Sequence, residues 1–174
     1  KEFGIRWTDG GLIQFTEGDT EVSVLFASEG NVIEAVADAV RTAKSDIRFM
    51  TFVFSSDSLA EAVLEMVAKP NINVQGVFEN RNSTADWSQM PPLHCAGAHM
   101  RQDGNKYVLH HKVFIIDDDT VVTGSFNFSG NASKSNDENL VIIKNKDIAG
   151  LYLDEWQRMW DNAQDLEPDE VTCE

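Results

Sequence analysis

Residues 47–54, "IRFMTFVF", form the apolar run that most restricts how this chain can fold. A strand with almost no polar residue is typically buried on both faces, at the centre of a sheet that other elements cover on both sides. A serine-rich helix-start signal follows, and apolar residues then recur at helical spacing as far as Lys69, before Pro70. A buried strand followed by an amphipathic helix predicts an α/β fold with layered packing.

Strand and helix patterns alternate along the remaining sequence. Strands are predicted at residues 21–27, 47–54, 72–80, 112–116, 120–123 and 139–145, with a brief strand and turn at 99–104. Helices are predicted at residues 31–44, up to Lys69, at 90–96 and at 147–160. The last helix has a predicted apolar face of Ile148, Leu151, Tyr152, Trp156 and Met159. Together these elements predict an α/β sandwich.

The 174 residues divide into three predicted segments around one domain. Residues 1–20, rich in glycine and threonine, are expected to be a linker or an N-terminal arm. Residues 21–162 are expected to form the domain, and residues 163–174 an acidic C-terminal tail in solvent. The sequence begins with Lys1 rather than methionine, so we expect a processed or excised piece of a longer protein. No stretch is apolar enough to predict a membrane-spanning helix.

The chain carries 29 acidic and 14 basic residues, which gives a net charge of −15. Such a charge repels phosphates at a distance and argues against a protein that coats nucleic acid or anionic membranes. A local cationic pocket remains compatible with it. Cys95 and Cys173 are far apart and form no CxxC pair, so the sequence leaves their pairing and the cellular compartment open.

A basic pair, His110 and Lys112, stands before the apolar run of the strand predicted at residues 112–116. Residues two apart in a strand point to the same face, so the two side chains are expected to project together. A lysine beside an imidazole makes a local anion site within an acidic protein. Ser125 and Asn127, at the end of the next strand, are candidate hydrogen-bond donors to the same anion.

The stretch "HHKVFIIDDDTVVTGSFN" matches the signature of the phospholipase D superfamily, H-x-K-x(4)-D-x(6)-G-S-x-N, at every fixed position. The matching residues are His110, Lys112, Asp117, Gly124, Ser125 and Asn127. The resemblance covers roughly residues 21–160 and implies an α-β-α sandwich with a mixed central sheet flanked by helices. The short sequences "FNF" at the end of the signature and "NDEN" after it resemble those of the family's bacterial endonucleases more than those of its classical lipases.

The resemblance implies phosphodiester cleavage through a covalent phosphohistidine, without a metal or another cofactor. One histidine attacks phosphorus, and a second histidine protonates the leaving oxygen. Lys112, Ser125 and Asn127 would bind the phosphate. Glu138, at the place of the family's downstream carboxylate, would orient His110 as a third catalytic residue. Asp117 and Gly124 would be structural, with Asp117 fixing a turn.

This chain contains a single copy of the signature, so the resemblance implies a second copy from elsewhere. Two chains would form a homodimer, or this chain would be the C-terminal half of a tandem protein, and the fragment is slightly favoured. In the fragment, His110 would be the acid rather than the nucleophile. The substrate is nucleic acid or another diester, with a phospholipid headgroup as the first alternative. A catalytically silent half-domain that serves as a scaffold is the second.

Simpler interpretations of the same residues stay open. His94, Cys95, His99 and His111 suggest a zinc site, but their spacing fits no common zinc motif. Ser125 lies outside a G-x-S-x-G elbow, which argues against a serine hydrolase. The acidic residues at 117–119 are more typical of a turn than of a calcium site.

Overall fold

The computed structural model describes residues 6–8, 12–27 and 31–173. Its strands are β1 (Arg6–Thr8), β2 (Leu12–Glu17), β3 (Thr20–Phe26), β4 (Asp46–Thr51), β5 (Asn73–Phe78), β6 (His99–Gln102), β7 (Lys112–Ile116), β8 (Thr120–Gly124), β9 (Asn139–Lys144) and β10 (Gln164–Asp165). Its helices are α1 (Val32–Arg41), α2 (Asp57–Val67), α3 (Met90–Cys95), α4 (Gly130–Lys134) and α5 (Lys146–Asn162). Every predicted strand and helix of the domain has a counterpart among them.

Within the described residues the strands form one sheet of ten, in the order β1-β2-β3-β9-β8-β7-β4-β5-β6-β10. The β4–β5 and β5–β6 pairs are parallel, and the other neighbours are antiparallel. Helices α1 to α4 contribute to the core on one face, and α5 packs on the other. The predicted α/β sandwich with a mixed central sheet is confirmed.

The sequence of the central strand β4 is apolar because both faces of the strand are buried. Phe49 packs into the core beneath α1 and α2, whereas its neighbour Met50 packs into the core beneath α5, and both are fully buried. Alternate residues of a strand point to opposite faces, so a strand covered on both sides has few places for a polar residue. The regular strand ends at Thr51, three residues before the end of the predicted one, and Phe54 then forms an isolated bridge to Phe128.

The N-terminal segment differs from the expected irregular arm. Strands β1 and β2 lie within residues 1–20 and extend the sheet, while residues 1–5 and 9–11 lie outside the described residues. β2 and β3 pair through a tight turn at Gly18 and Asp19, where Gly18 has a φ of 62°. Gly-Asp between two β-rich runs is a recognisable hairpin signal. The expectation of a linker did not take account of it.

The C-terminal segment was expected to be free in solvent and is instead attached at two places. β10 pairs with β6, and a disulfide joins Cys95 to Cys173 across 78 residues of sequence. The sequence could not indicate this pairing because the two cysteines approach only after α3 and the tail are folded.

The predicted apolar face of α5 is largely confirmed, since Trp156 and Met159 are buried and Tyr152 packs against them, but Leu151 does not belong to it. Leu151 is 70% exposed, whereas Ala149, Trp156 and Met159 are buried against the sheet. The stripe that faces the sheet is centred on Ala149, Leu153, Trp156 and Trp160, and Leu151 lies on the opposite side of the helix. None of the helices in the described part of the chain has the length and apolarity needed to span a bilayer.

Candidate active site

Five of the predicted site residues lie at one edge of the sheet, because antiparallel neighbours bring a strand's end beside the next strand's start. His110 lies just before β7, Ser125 and Asn127 follow β8, and Glu138 immediately precedes β9. Lys112 is the first residue of β7. Asp117, at the far end of β7, lies at the opposite edge of the sheet. The signature is therefore divided between two edges.

The His110 and Lys112 side chains meet, as expected. The Lys112 Nζ atom lies 3.3 Å from His110 Nε2 and 3.4 Å from Nδ1, and it donates a hydrogen bond to the His110 carbonyl at 3.1 Å. His110 itself lies outside the regular strand and is exposed, whereas Lys112 is only 5% exposed. The site therefore pairs an accessible imidazole with a cation held beneath the surface.

Phe52, just after β4, contacts both members of this pair. Its ring centre lies 4.8 Å from that of His110 and 5.3 Å from Lys112 Nζ. The Phe52 N–H also donates to the carbonyl of His111 at 2.9 Å, which fixes the two segments together. The sequence analysis did not identify Phe52, because its place beside His110 depends on the pairing of β4 with β7.

The charge of Lys112 is subject to two opposing influences. Burial lowers the pKa of Lys112 below its ordinary value, because a low-polarity environment penalises the ammonium form. The carboxylate of Glu138 acts in the opposite direction and favours the charged form. The acidic neighbour that favours the ammonium form thus comes from the start of β9, two strands away from β7 in the sheet.

Glu138 and Ser125 form a hydrogen-bonded group next to this pair. The Ser125 hydroxyl donates to Glu138 Oε2 at 2.5 Å, and Asn136 Nδ2 donates to Glu138 Oε1 at 3.0 Å. Ser125 Oγ also accepts from the Asn139 N–H at 3.1 Å. Among the described residues, Glu138 therefore holds Ser125 and Asn136, and its orientation of His110 stays a prediction.

Asn127 is half-buried, and its Oδ1 atom has no hydrogen-bond partner among the described residues. Because this oxygen is buried without a donor, no hydrogen bond to it would have to break if the amide turned its NH₂ group toward a ligand. Of the two predicted phosphate donors, Asn127 is thus the uncommitted one, because the single proton of Ser125 is shared with Glu138.

Asp117 and Gly124 both contact backbone atoms of neighbouring segments. The Asp117 carboxylate accepts hydrogen bonds from the backbone N–H groups of Lys44, Ser45 and Asp46 and from the Ser45 hydroxyl. Burial by itself would raise the pKa of Asp117, but these hydrogen bonds outweigh it and hold the pKa below its ordinary value. Gly124 has a φ of 153°, and a Cβ atom there would lie 2.2 Å from the carbonyl oxygen of Asn139.

Three of the four residues of the possible zinc site, Cys95, His99 and His111, have other partners. Cys95 is joined to Cys173 and therefore offers no thiolate. His99 Nε2 lies 3.0 Å from Asp165, and His111 Nε2 lies 3.3 Å from Glu155. Within residues 6–8, 12–27 and 31–173, no three histidine, cysteine or carboxylate side chains converge in a metal-binding arrangement.

Comparison with known proteins agrees with the signature. The family model described as cardiolipin synthase, PLD-like domain, matches residues 36–160. The chain is 34% identical over 119 residues to a mitochondrial cardiolipin hydrolase of Xenopus laevis, covering 68% of this chain and 56% of that protein. It is 32% identical over 137 residues to a phospholipase D of Rickettsia bellii, covering 79% and 68%.

Solved structures give the same result. Nuc from Salmonella typhimurium, a phospholipase D family member, superposes with a TM-score of 0.77 at 32% identity, covering 85% of this chain and 99% of that chain. NucT from Helicobacter pylori superposes with a TM-score of 0.76 at 20% identity and shares the fold.

The fold and the edge site define a phospholipase D-like domain. The chain belongs to the phospholipase D-like family, and it spans about half the length of the cardiolipin hydrolases that it matches.

Proposed function

We propose that this chain is a phosphoric diester hydrolase that works through a phosphohistidine intermediate and needs no metal. The observation that carries the proposal is the contact between the exposed imidazole of His110 and the nearly buried ammonium of Lys112, within 3.4 Å. A nucleophile or proton donor has to be accessible, whereas a group that stabilises charge acts most strongly where water is excluded.

The proposed reaction has two steps that use two histidines. In the first, a ring nitrogen of one histidine attacks phosphorus, and the other histidine gives its proton to the leaving oxygen as the ester bond breaks. In the second, water attacks the phosphohistidine, the second histidine takes a proton from that water, and the phosphorus–nitrogen bond breaks. His110 supplies one of the two imidazoles, and Lys112 balances charge on the non-bridging oxygens in both steps.

The second imidazole belongs to a second copy of the signature, and we propose that it comes from a second chain. The sequence holds one H-x-K, at His110 and Lys112. Salmonella Nuc is matched over 99% of its own chain by this single-signature domain, which supports a site built from two like domains. Two-fold symmetry would let each copy present the same sheet edge to the other.

For the substrate we propose nucleic acid, on the likeness of residues 126–139 to the family's bacterial endonucleases. The alternative is a phospholipid headgroup, which the names of the relatives favour, since they are called cardiolipin hydrolase and phospholipase D. The net charge of −15 disfavours tight binding to either polyanion by charge alone. Contacts within the site therefore have to supply most of the affinity.

A mixing experiment tests the mechanism and the two-chain site together. Turnover of a small chromogenic phosphodiester is measured in EDTA for the chain, for His110→Ala, and for unfolded and refolded mixtures of the two. We expect turnover to persist in EDTA and to fall at least about 10²- to 10⁴-fold in His110→Ala, the usual contribution of a proton-transferring group. In the mixtures turnover should fall with the square of the wild-type fraction, because only wild-type pairs hold two imidazoles.

The control is His111→Ala, the adjacent histidine, whose ring contacts Glu155 rather than Lys112. It should retain turnover. Loss of activity in EDTA that zinc or magnesium restores would contradict the metal-independent mechanism. A folded chain that is inactive alone and active only with a separate signature-bearing domain would show that the second motif belongs to another part of a longer protein.

A further inference from the structure

We infer that a cleft beside His110 binds a nucleobase of the substrate, stacked on Trp87. The inference rests on the proposed function and specifies its substrate class. The cleft has a volume of about 370 Å³ and is lined by Val53, Ser55, Trp87, Ser129, Gly130 and Asn131.

Residues that line the cleft are close in the chain to residues of the catalytic edge. Val53 directly follows Phe52, whose ring lies 4.8 Å from that of His110. The carbonyl of Val53 accepts the N–H of Phe128 at 3.2 Å, so the segments after β4 and after β8 run side by side here. Asn127, the uncommitted amide, immediately precedes Phe128. Ser129, which lines the cleft, donates its N–H to the Asn127 carbonyl at 2.7 Å, so the cleft borders the backbone of a residue proposed to bind the phosphate.

Trp87 lines the cleft and is 50% exposed, so part of its indole is open to a ligand. Its segment is nevertheless well anchored. The N–H of Gln89 donates to the Phe54 carbonyl at 3.0 Å, and the Gln89 side chain donates to Asp57 at 2.7 Å. Ser88, next to Trp87, is buried. The indole is thus presented on a fixed support, which reduces the entropy lost when a flat ligand stacks on it.

The chemistry of the cleft favours a nucleobase over an acyl chain. An exposed indole stacks on any base, and side-chain groups of Ser55 and Asn131 on the same cleft can hydrogen-bond to a base edge. An acyl chain would leave those polar groups without partners. The net charge of −15 gives this protein no long-range attraction to the phosphates of nucleic acid. Base stacking needs no positive charge and can therefore contribute to binding all the same.

The test compares short single-stranded oligonucleotides that carry either normal bases or abasic sites on both sides of one cleavable phosphodiester. For Trp87→Ala we expect kcat/KM on the base-bearing oligonucleotide to fall about 5- to 150-fold, the range of one base-stacking contact. On the abasic oligonucleotide kcat/KM should not change. Trp87→Phe, which keeps an aromatic face, should recover most of the loss.

Leu151→Ala is the matched control, because Leu151 is also a large exposed apolar residue but lies on α5, away from the cleft. It should leave both substrates unaffected. Equal losses on base-bearing and abasic oligonucleotides, or no loss on either, would overturn the inference while the proposed hydrolase activity stood. A loss confined to phospholipid vesicles would overturn it in favour of membrane contact.

A binding measurement separates this inference from the proposed function. If the folded chain hydrolysed no diester, the proposed function would fail, and oligonucleotide binding would still be read from tryptophan fluorescence. We expect base-bearing but not abasic oligonucleotides to quench a component of fluorescence that Trp87→Phe lacks. Quenching that is the same in both proteins would overturn the stacking site.

Discussion

The two ends of the β7–β8 hairpin carry residues of the same signature but differ in how those residues are used. At the turn, the Asp117 carboxylate is surrounded by hydrogen bonds from three consecutive backbone N–H groups and a hydroxyl. At the open end, His110 is exposed, and Asn127 has an oxygen that no described group engages. A saturated carboxylate stabilises structure, whereas an accessible imidazole beside a buried amide oxygen without a donor leaves groups that can bind and react.

The difference arises from the geometry of the hairpin. The turn needs positive φ at Asp117 and Asp118, 50° and 58°, and its carboxylate joins the turn to the start of β4. The open end lies beside the end of β4 and the start of β9, so side chains distant in sequence converge there. One continuous signature thus contains residues with two separate roles, one in the fold and one in the proposed chemistry.

Gly124→Ala should have a large effect on both stability and turnover, because it disturbs the open end of the hairpin through the backbone. A Cβ atom would meet the Asn139 carbonyl oxygen at 2.2 Å, and the φ of 153° suits few side chains. We expect a loss of about 1–3 kcal/mol in unfolding free energy and about a 100-fold loss in turnover as Ser125 and Glu138 shift. Denaturant titration and diester turnover measure the two effects.

Gly150→Ala is the control for that substitution, since a Cβ atom in the middle of α5 meets nothing within 4 Å. Its turnover should be unchanged and its stability equal or slightly higher. Wild-type turnover by Gly124→Ala would show that the open end tolerates backbone displacement, and the contrast between the two ends would fail.

Asp117→Asn should affect stability alone and leave turnover unchanged. Asparagine tolerates the positive φ but replaces a charged acceptor of four hydrogen bonds with a neutral amide, at a cost of about 1–3 kcal/mol. Turnover per folded molecule should match the wild type. Asp118→Asn, at an exposed carboxylate paired with Arg48, should cost about 0–1 kcal/mol. A selective loss of turnover in Asp117→Asn would mean that both ends take part in the chemistry.

The smallest expected effect is on the acid dependence of stability. The pKa of Asp117 in the folded chain is held below 3.8, so its stabilisation is complete above that pH and is lost as the pH falls through the lowered value. The difference in melting temperature between wild type and Asp117→Asn should therefore be constant near neutrality and shrink below about pH 3.8. A difference that instead grew on acidification would contradict the assigned direction.

The sequence predicted those parts of the fold and site that depend on neighbours along the chain. β7 begins and ends where it was predicted, because basic residues, apolar residues and an acidic turn follow one another within a few positions. The same local order placed His110, Lys112, Ser125 and Asn127 at one end of the hairpin. The alternation of strand and helix patterns was sufficient to predict the layered architecture.

Contacts between distant segments were not predictable in the same way. Phe52 lies against His110, Ser125 binds Glu138, and Cys95 reaches Cys173, over separations of 58, 13 and 78 residues. Each depends on which strands pair and in which register, and a one-residue change of register would turn the side chains to the other face.

By itself, the sequence determined the family signature, the hairpin that holds it and the chemical types of its side chains. Only the tertiary structure decided which of those side chains are open to a substrate, that Phe52 contacts the His110–Lys112 pair, and that Trp87 lines a cleft beside them. The physical reason is that residue type and local periodicity are properties of adjacent residues. Exposure, burial and convergence at a sheet edge are instead set by strand order, register and the helices packed against the sheet.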